Sequence, residues 1–296
     1  MLLKRIISLF LSAVVIVCAF YGCSSKQQEH SLVNLITADS HYENIDESSY
    51  RAYEKLCNAV INGESSAKFN ISLLDDVNQL FYTGFPLNAL VDEIRVEEDK
   101  SGVAISYKND ADTHKQLVSE FSGKIENMLE KCKEENANSD RVVFNAYTYV
   151  TSNFTVDNSV VTVYDTVIEG RGTSAAINSL FEYLVLLSGG KASHMLNLKG
   201  SLTVVSMVEF KGVNYYFDPA REIEKNSGKA LVYFAMDQSR VGKYAPGRFT
   251  YTNQDNAPKI TDREFEKLES SVSFTVGDNE ISVNLKDNGQ MSITFV

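Results

Sequence analysis

Apolar residues recur at helical spacing in several stretches and alternate with polar ones in others. Tyr53, Leu56, Cys57 and Val60 predict a helix over Tyr50–Ile61. Leu117, Phe121, Ile125 and Met128 or Leu129 predict a long one over Asp112–Glu135, whose charge run is its solvated face. Val143, Phe144, Tyr147 and Val150 predict another, starting at Asp140 and ended by Thr151-Ser-Asn-Phe154. The helix that organises the rest opens after Glu169-Gly-Arg-Gly172 and carries Ile177, Leu180, Phe181 and Leu184 on one stripe, ending at Leu187-Ser-Gly-Gly190. Thr173 or Ser174 is its natural N-cap, since a hydroxyl accepts from an unpaired amide of the first turn.

Between and after these helices the period shifts to two. Lys68–Ser72 reads as a strand, and a short helix carrying Val77, Leu80 and Phe81 follows, capped by Asp75 or Asp76 and broken near Gly84 and Pro86. Glu93–Glu97 and Gly102–Tyr107 flank a Glu-Asp-Lys-Ser-Gly turn as a hairpin. Strands dominate after Gly190: Ser193–Leu198, Leu202–Phe210, and Val213–Phe217 across a Lys211-Gly212 turn, with Asp218-Pro219 stopping the last. Leu231–Ala235 reads as buried, Thr261–Glu269 as a short helix, and Val272–Val276, Ile281–Leu285 and Met291–Val296 as a meander. The fold class is α+β.

The ends are organised differently. Lys4 and Arg5 precede an apolar run from Ile6 to Phe20, and Gly22-Cys23-Ser24-Ser25 resembles a bacterial lipoprotein processing site, with Phe20 and Tyr21 where such sites carry Leu and a small residue. The alternative is an uncleaved anchor helix, the run being just under the roughly 18 apolar residues of a span. The lipoprotein reading makes Cys23 the lipidated residue and the membrane a partner. It sets the protein on the outer face of the bacterial cytoplasmic membrane, at the cell surface. The expected divisions are a signal peptide 1–22, a polar tether 23–47, an N-terminal α+β segment 48–135, a main domain 136–258, and a C-terminal helix and β-meander 259–296.

Composition narrows the function classes. A hydrophobic fraction of 44% with 23% charged residues in 296 is that of a globular chain. The net charge of −11, with no Lys/Arg-rich stripe, argues against a nucleic-acid surface. Outside the leader and its end, Cys57 and Cys132 remain, either buried singly or joined in one disulfide. The histidines, His30, His41, His114 and His194, are scattered, and no pair of cysteines has metal-ligand spacing, so neither metal nor cofactor is expected.

A helix opened by Gly170-Arg-Gly172, followed by strands ending in Lys211-Gly-Val-Asn-Tyr215-Tyr-Phe-Asp218-Pro219, resembles the transglutaminase-like branch of the papain-like superfamily. Val232-Tyr-Phe-Ala-Met-Asp237 resembles the segment downstream of the triad in bacterial members. The resemblance covers roughly 48–240, is strongest over 164–219, and rests on spacing. It implies a papain-like or transglutaminase-like core, a helix packed on an antiparallel sheet, preceded by a small α+β segment. In that family Cys, His and Asp form a triad. Here the nucleophile position falls on Thr173, the His position on Thr203, and only Asp218 remains.

That replacement carries the functional reading. A Cys–His pair works because imidazole takes the thiol proton and the thiolate attacks. A threonine hydroxyl is a far weaker acid, and Thr203 is no base. The resemblance therefore implies a catalytically inactive domain that binds a peptide, protein or cell-wall component. Arg171, Ser174, His194 and Tyr215 are candidate cleft residues; the plainer reading makes Arg171 a loop charge, Tyr215 a core aromatic and His194 a surface or hydrogen-bonded strand residue. Two alternatives stand beside this one: a hydrolase or acyl transferase using Thr173 or Ser174 with His194, and a scaffold subunit of an envelope complex.

Overall fold

Aspartate caps start two of the described helices of the N-terminal part. In the computed structural model, Asp46 accepts from the amides of Ser48 and Ser49 to open α1 (Glu47–Asn62), and Gly63 ends it in the left-handed region at φ 68°. The described residues are Leu32, 45–133, 139–197, 203–227, 231–243, 249–251, 272–276, 279–285 and 291–295. They fall in the unit spanning 32–296. Residues 1–22 and Cys23, most of the tether, and the helix expected over Thr261–Glu269 lie outside them.

The strand expected over Lys68–Ser72 is shorter and earlier: β1 is Ser66–Ala67. Asn70 accepts from Ser72 N and turns the chain into a 3-10 turn, Ile71–Leu73, so the alternation beyond it never enters a sheet. Next, α2 (Leu74–Gly84) holds Asp75 and Asp76 inside its first turn, not at its cap. A hairpin of β2 (Val91–Val96) and β3 (Val103–Tyr107) then pairs as expected, with β1 on its other edge. Asp110 caps α3 (Ala111–Cys132), which buries Phe121, Ile125, Met128 and Leu129 but also His114 and Val118, while Leu117 is only partly covered.

The second half is built around one helix. After α4 (Ser139–Asn153) and β4 (Thr155–Val156), Thr162 caps α5 (Val163–Glu169), and Gly170 closes it at φ 72°. β5 (Arg171–Gly172) pairs in parallel with β4 and leads into α6 (Ser174–Leu187). The glycine pair after α6 gives way to β6 (Ala192–Asn197), β7 (Thr203–Phe210) and β8 (Val213–Phe217), paired antiparallel. Lys211 and Gly212 both have positive φ, as a two-residue hairpin turn demands. α6 packs on β6 and β7, so the expected helix on an antiparallel sheet is present.

Asp218-Pro219 stops β8 as expected, and it also starts a helix. Asp218 accepts from Arg221 N and Pro219 occupies the first turn of α7 (Pro219–Asn226), where its missing N–H costs nothing. Leu231–Ala235 is buried apart from partly covered Val232 and Tyr233, and runs back beside β8 through the Tyr216–Met236 bridge before α8 (Gln238–Gly242). β9 (Phe249–Tyr251) adds the outer strand next to β6. β10 (Val272–Val276), β11 (Asn279–Leu285) and β12 (Met291–Phe295) form the expected antiparallel meander.

Aromatic rings fill the space between α4, α6 and the sheet. Phe234 meets Tyr147, Phe210 and Phe217 edge-on at centroid distances of 5.1, 5.2 and 5.0 Å, the arrangement ring quadrupoles favour. Cys57 and Cys132 are separate buried thiols, which decides between the two sequence alternatives. Burial pushes both thiol pKa values up, Cys132 to about 12. Among the described residues no helix is long and apolar enough to cross a membrane.

Candidate functional site

The start of α6 is assembled by close backbone approach. Thr173 N donates to Val160 O at 2.8 Å, and a Cβ on Gly172 would lie 2.1 Å from Thr166 Oγ1. Only glycine lets the chain pass α5 this tightly. Thr173, at φ −60° and ψ 159°, is the N-cap, and its Oγ1 accepts from Ala176 N at 3.2 Å. Ser174 Oγ donates to Glu224 Oε1 at 3.3 Å. An exposed carboxylate is a weak base for an alcohol, so this contact leaves the hydroxyl protonated.

One turn further along α6, Asn178 is fully buried and joins three elements. Its Nδ2 donates to Val204 O at 2.9 Å and to Asp218 Oδ1 at 3.1 Å, while its Oδ1 accepts from Ala220 N at 3.0 Å. Asp218, itself buried, thus faces an amide and the start of α7. Thr203 opens β7, paired in register with Asn197. Tyr215 is wholly inside the core. Arg171, on β5, is an exposed charge paired with Asp157 at 2.6 Å and Glu169 at 2.8 Å.

His194 belongs to another face of α6. Its Nδ1 lies 3.1 Å from Glu182 Oε2 and 3.3 Å from Ser179 Oγ. Thr173 and Ser174, which the hydrolase alternative pairs with it, have their hydroxyls engaged with Ala176 and Glu224 instead. Ser179, Glu182 and His194 are the residue types of a nucleophile, an orienting acid and a base. They do not form a relay, because both contacts converge on one nitrogen. If Nδ1 donates to Glu182 it has no lone pair for the serine proton; if it keeps a lone pair to accept that proton, the lone pair opposes the carboxylate.

These three residues instead line a cavity of about 280 Å³ between α6, β6 and the turn after α2. Sequence reading singled out His194 but missed Ser179 and Glu182. A signal was present: Glu182 is the one charged residue between Ser174 and Leu187, inside an otherwise apolar helix. Among the described residues no group of three or more His, Cys, Asp or Glu side chains is placed to hold a metal ion.

The architecture is thus a mixed α+β protein with a central helix on an antiparallel sheet. Neither family models nor curated proteins match the chain. Among solved structures, a candidate cysteine protease from Cytophaga hutchinsonii superposes with a TM-score of 0.29 at 14% identity, over 53% of this chain and 62% of its own. A candidate protease from Parabacteroides distasonis ATCC 8503 does so with a TM-score of 0.27 at 9% identity, over 42% of this chain and 29% of its own. The chain spans less than two thirds of the length of either, and function has to be sought in its own residues.

Proposed function

We propose that this chain is a surface-tethered lipoprotein whose transglutaminase-like domain binds a ligand without catalysing a reaction. The observation that carries the reading is the state of the helix start: Thr173 is spent as an N-cap, and Asp218 is held by Asn178 and Arg221 N. A nucleophile in this place needs a base to take its proton, and the groups around Thr173 and Ser174 supply a backbone amide and an exposed carboxylate. The tether rests on Cys23 and the apolar run before it. The ligand is a peptide, a protein or a cell-wall component, met at the outer face of the membrane.

The catalytic half is tested on the full-length protein in detergent with a fluorophosphonate probe and an acyl-donor substrate. Neither labelling nor turnover is expected. Labelling that disappears in Thr173→Ala, Ser174→Ala or Ser179→Ala overturns the reading. The tether is tested by cell fractionation, in which Cys23→Ala is expected to release the protein from the membrane fraction.

A further inference from the structure

Several polar side chains that line the cavity beside α6 already have partners. Thr83 donates to Gln79 O, Thr162 to Asp165 Oδ2 and Tyr183 to Leu32 O, each at 2.7 Å, and Asn88 Nδ2 donates to the carbonyls of Phe81 and Tyr82. Ser179 is placed differently. Its hydroxyl meets His194 Nδ1 at 3.3 Å and no other protein group. Glu182 Oε2 has the stronger claim on that nitrogen, being a carboxyl oxygen at 3.1 Å. With the Nδ1 proton given to Glu182, the Ser179 proton has no acceptor among the described residues. Ser179 is half-buried, and beyond Cβ its side chain is that hydroxyl alone. A donor left idle away from bulk water costs free energy that an incoming acceptor recovers.

The same cavity disfavours charge of either sign. Neither lysine nor arginine lines it, so an anion finds no partner there and meets the Glu182 carboxyl group. A cation finds no carboxylate oxygen to pair with: Oε1 is buried out of a ligand's reach, and Oε2 is held by His194. Apolar wall is plentiful. Phe85, Pro86, Ala175 and Leu186 contribute to it, and Tyr82 and Val161 line the same cavity while 56% and 67% exposed. Large apolar side chains left in water beside a concave site mark a surface that a ligand covers. The volume of about 280 Å³ lies near the lower end of small-molecule sites.

We propose that this cavity binds an uncharged carbonyl compound with a short aliphatic body: its carbonyl oxygen accepts from Ser179 Oγ, and the body lies against Phe85, Leu186 and Val161. The His194–Glu182 contact has a part in this, because it occupies Nδ1 and leaves the serine proton to the ligand. The inference names the ligand class of the binding protein proposed above and rests on that reading. A free amide and a leucine residue within a peptide share this chemistry.

Ligand-observed NMR titration of the full-length protein in detergent tests it with isovaleramide, with its anionic and cationic isosteres isovalerate and isoamylammonium, and with Nα-acetyl-leucine methylamide. Saturable binding of isovaleramide is expected, with both charged isosteres at least tenfold weaker. Similar affinity for the two amides assigns a free compound, and a tenfold gain for the leucine derivative assigns a peptide. Ser179→Ala is expected to weaken isovaleramide about three- to tenfold, the worth of one neutral hydrogen bond. Ala175→Leu, at a half-buried position on the wall, is expected to block the cavity with Ser179 intact, which guards against a fold defect in the first variant. Charged and neutral isosteres binding alike, no saturation by either amide, or affinity unchanged in either variant overturns the inference. Ammonia release from isovaleramide, followed in the same samples, reports separately on the non-catalytic reading.

Discussion

Asn178 is the residue whose removal most directly tests how α6 is joined to the sheet and to α7. Its side chain serves the Val204 carbonyl, Asp218 Oδ1 and the Ala220 amide, and it has no exposed surface. Asn178→Ala leaves the Ala220 N–H without that acceptor and the Val204 carbonyl without that donor. At roughly 1–3 kcal/mol for each of the two buried groups left short, the loss sums to about 2–6 kcal/mol. That is a large part of the roughly 5–15 kcal/mol that holds a domain folded, and it moves the melting temperature by on the order of 10 °C.

A second substitution fixes the cause. In Asn178→Asp one oxygen still accepts from Ala220 N, but the other replaces the donor and faces the Val204 carbonyl and the Asp218 carboxylate. Two buried carboxylates at this distance cannot both stay ionised, so the folded variant holds a proton that its unfolded chain releases. The folded pKa is raised, and the sign follows: the variant is most stable below the unfolded carboxyl range and loses stability as pH rises through the folded value. Urea midpoints measured at about pH 5 and pH 8 are expected to diverge from those of the parent chain at the higher pH. An Asn178→Ala loss under about 1 kcal/mol, or an Asn178→Asp deficit that is flat with pH, refutes the account of a dry three-way junction.

Four further outcomes follow from other sites. Glu222 is buried, and desolvation raises its pKa despite bonds from Tyr233 N, Asn226 and the Tyr147 hydroxyl. It therefore supports the fold below the unfolded carboxyl pKa and loses that contribution as pH rises through its folded value, and Glu222→Gln is expected to flatten that fall in urea midpoints. Gly172→Ala drives a methyl into Thr166, which is itself buried and bonded to Thr162 O; a loss of about 1–3 kcal/mol is expected. Gly123→Ala, on an exposed turn of α3 with nothing near, is expected to gain about 0.5–1 kcal/mol. Cys57 and Cys132 are expected to resist alkylation in the native protein and to react fully in urea; rapid native labelling, read by peptide mass, contradicts their burial.

What could be read from the residues alone divides by range. The stripe of α6, the β2–β3 hairpin and the closing meander are local patterns, since hydrophobic spacing and turn residues act over a few positions. Lys68–Ser72 went the other way because Asn70 offered the backbone a nearer bond than a sheet did. Asp218-Pro219 was ambiguous in kind: the pair ends a strand and opens a helix at once, and only the second role explains why the Asp218 carboxylate is occupied. The cavity lies beyond local pattern. Ser179 and Glu182 share a face of α6 by helical spacing, but His194 reaches them only because β6 pairs with β7 in the register that sets His194 opposite Ser206. Long-range register brings the imidazole to Glu182 and leaves Oε1 unmatched. The most telling residue was nonetheless visible as a contradiction, a single acid in a helix whose every other neighbour from Leu180 to Leu187 is apolar or aromatic. A chain keeps such an acid in its core at a cost in stability; here the His194 contact to Oε2 offsets part of that cost.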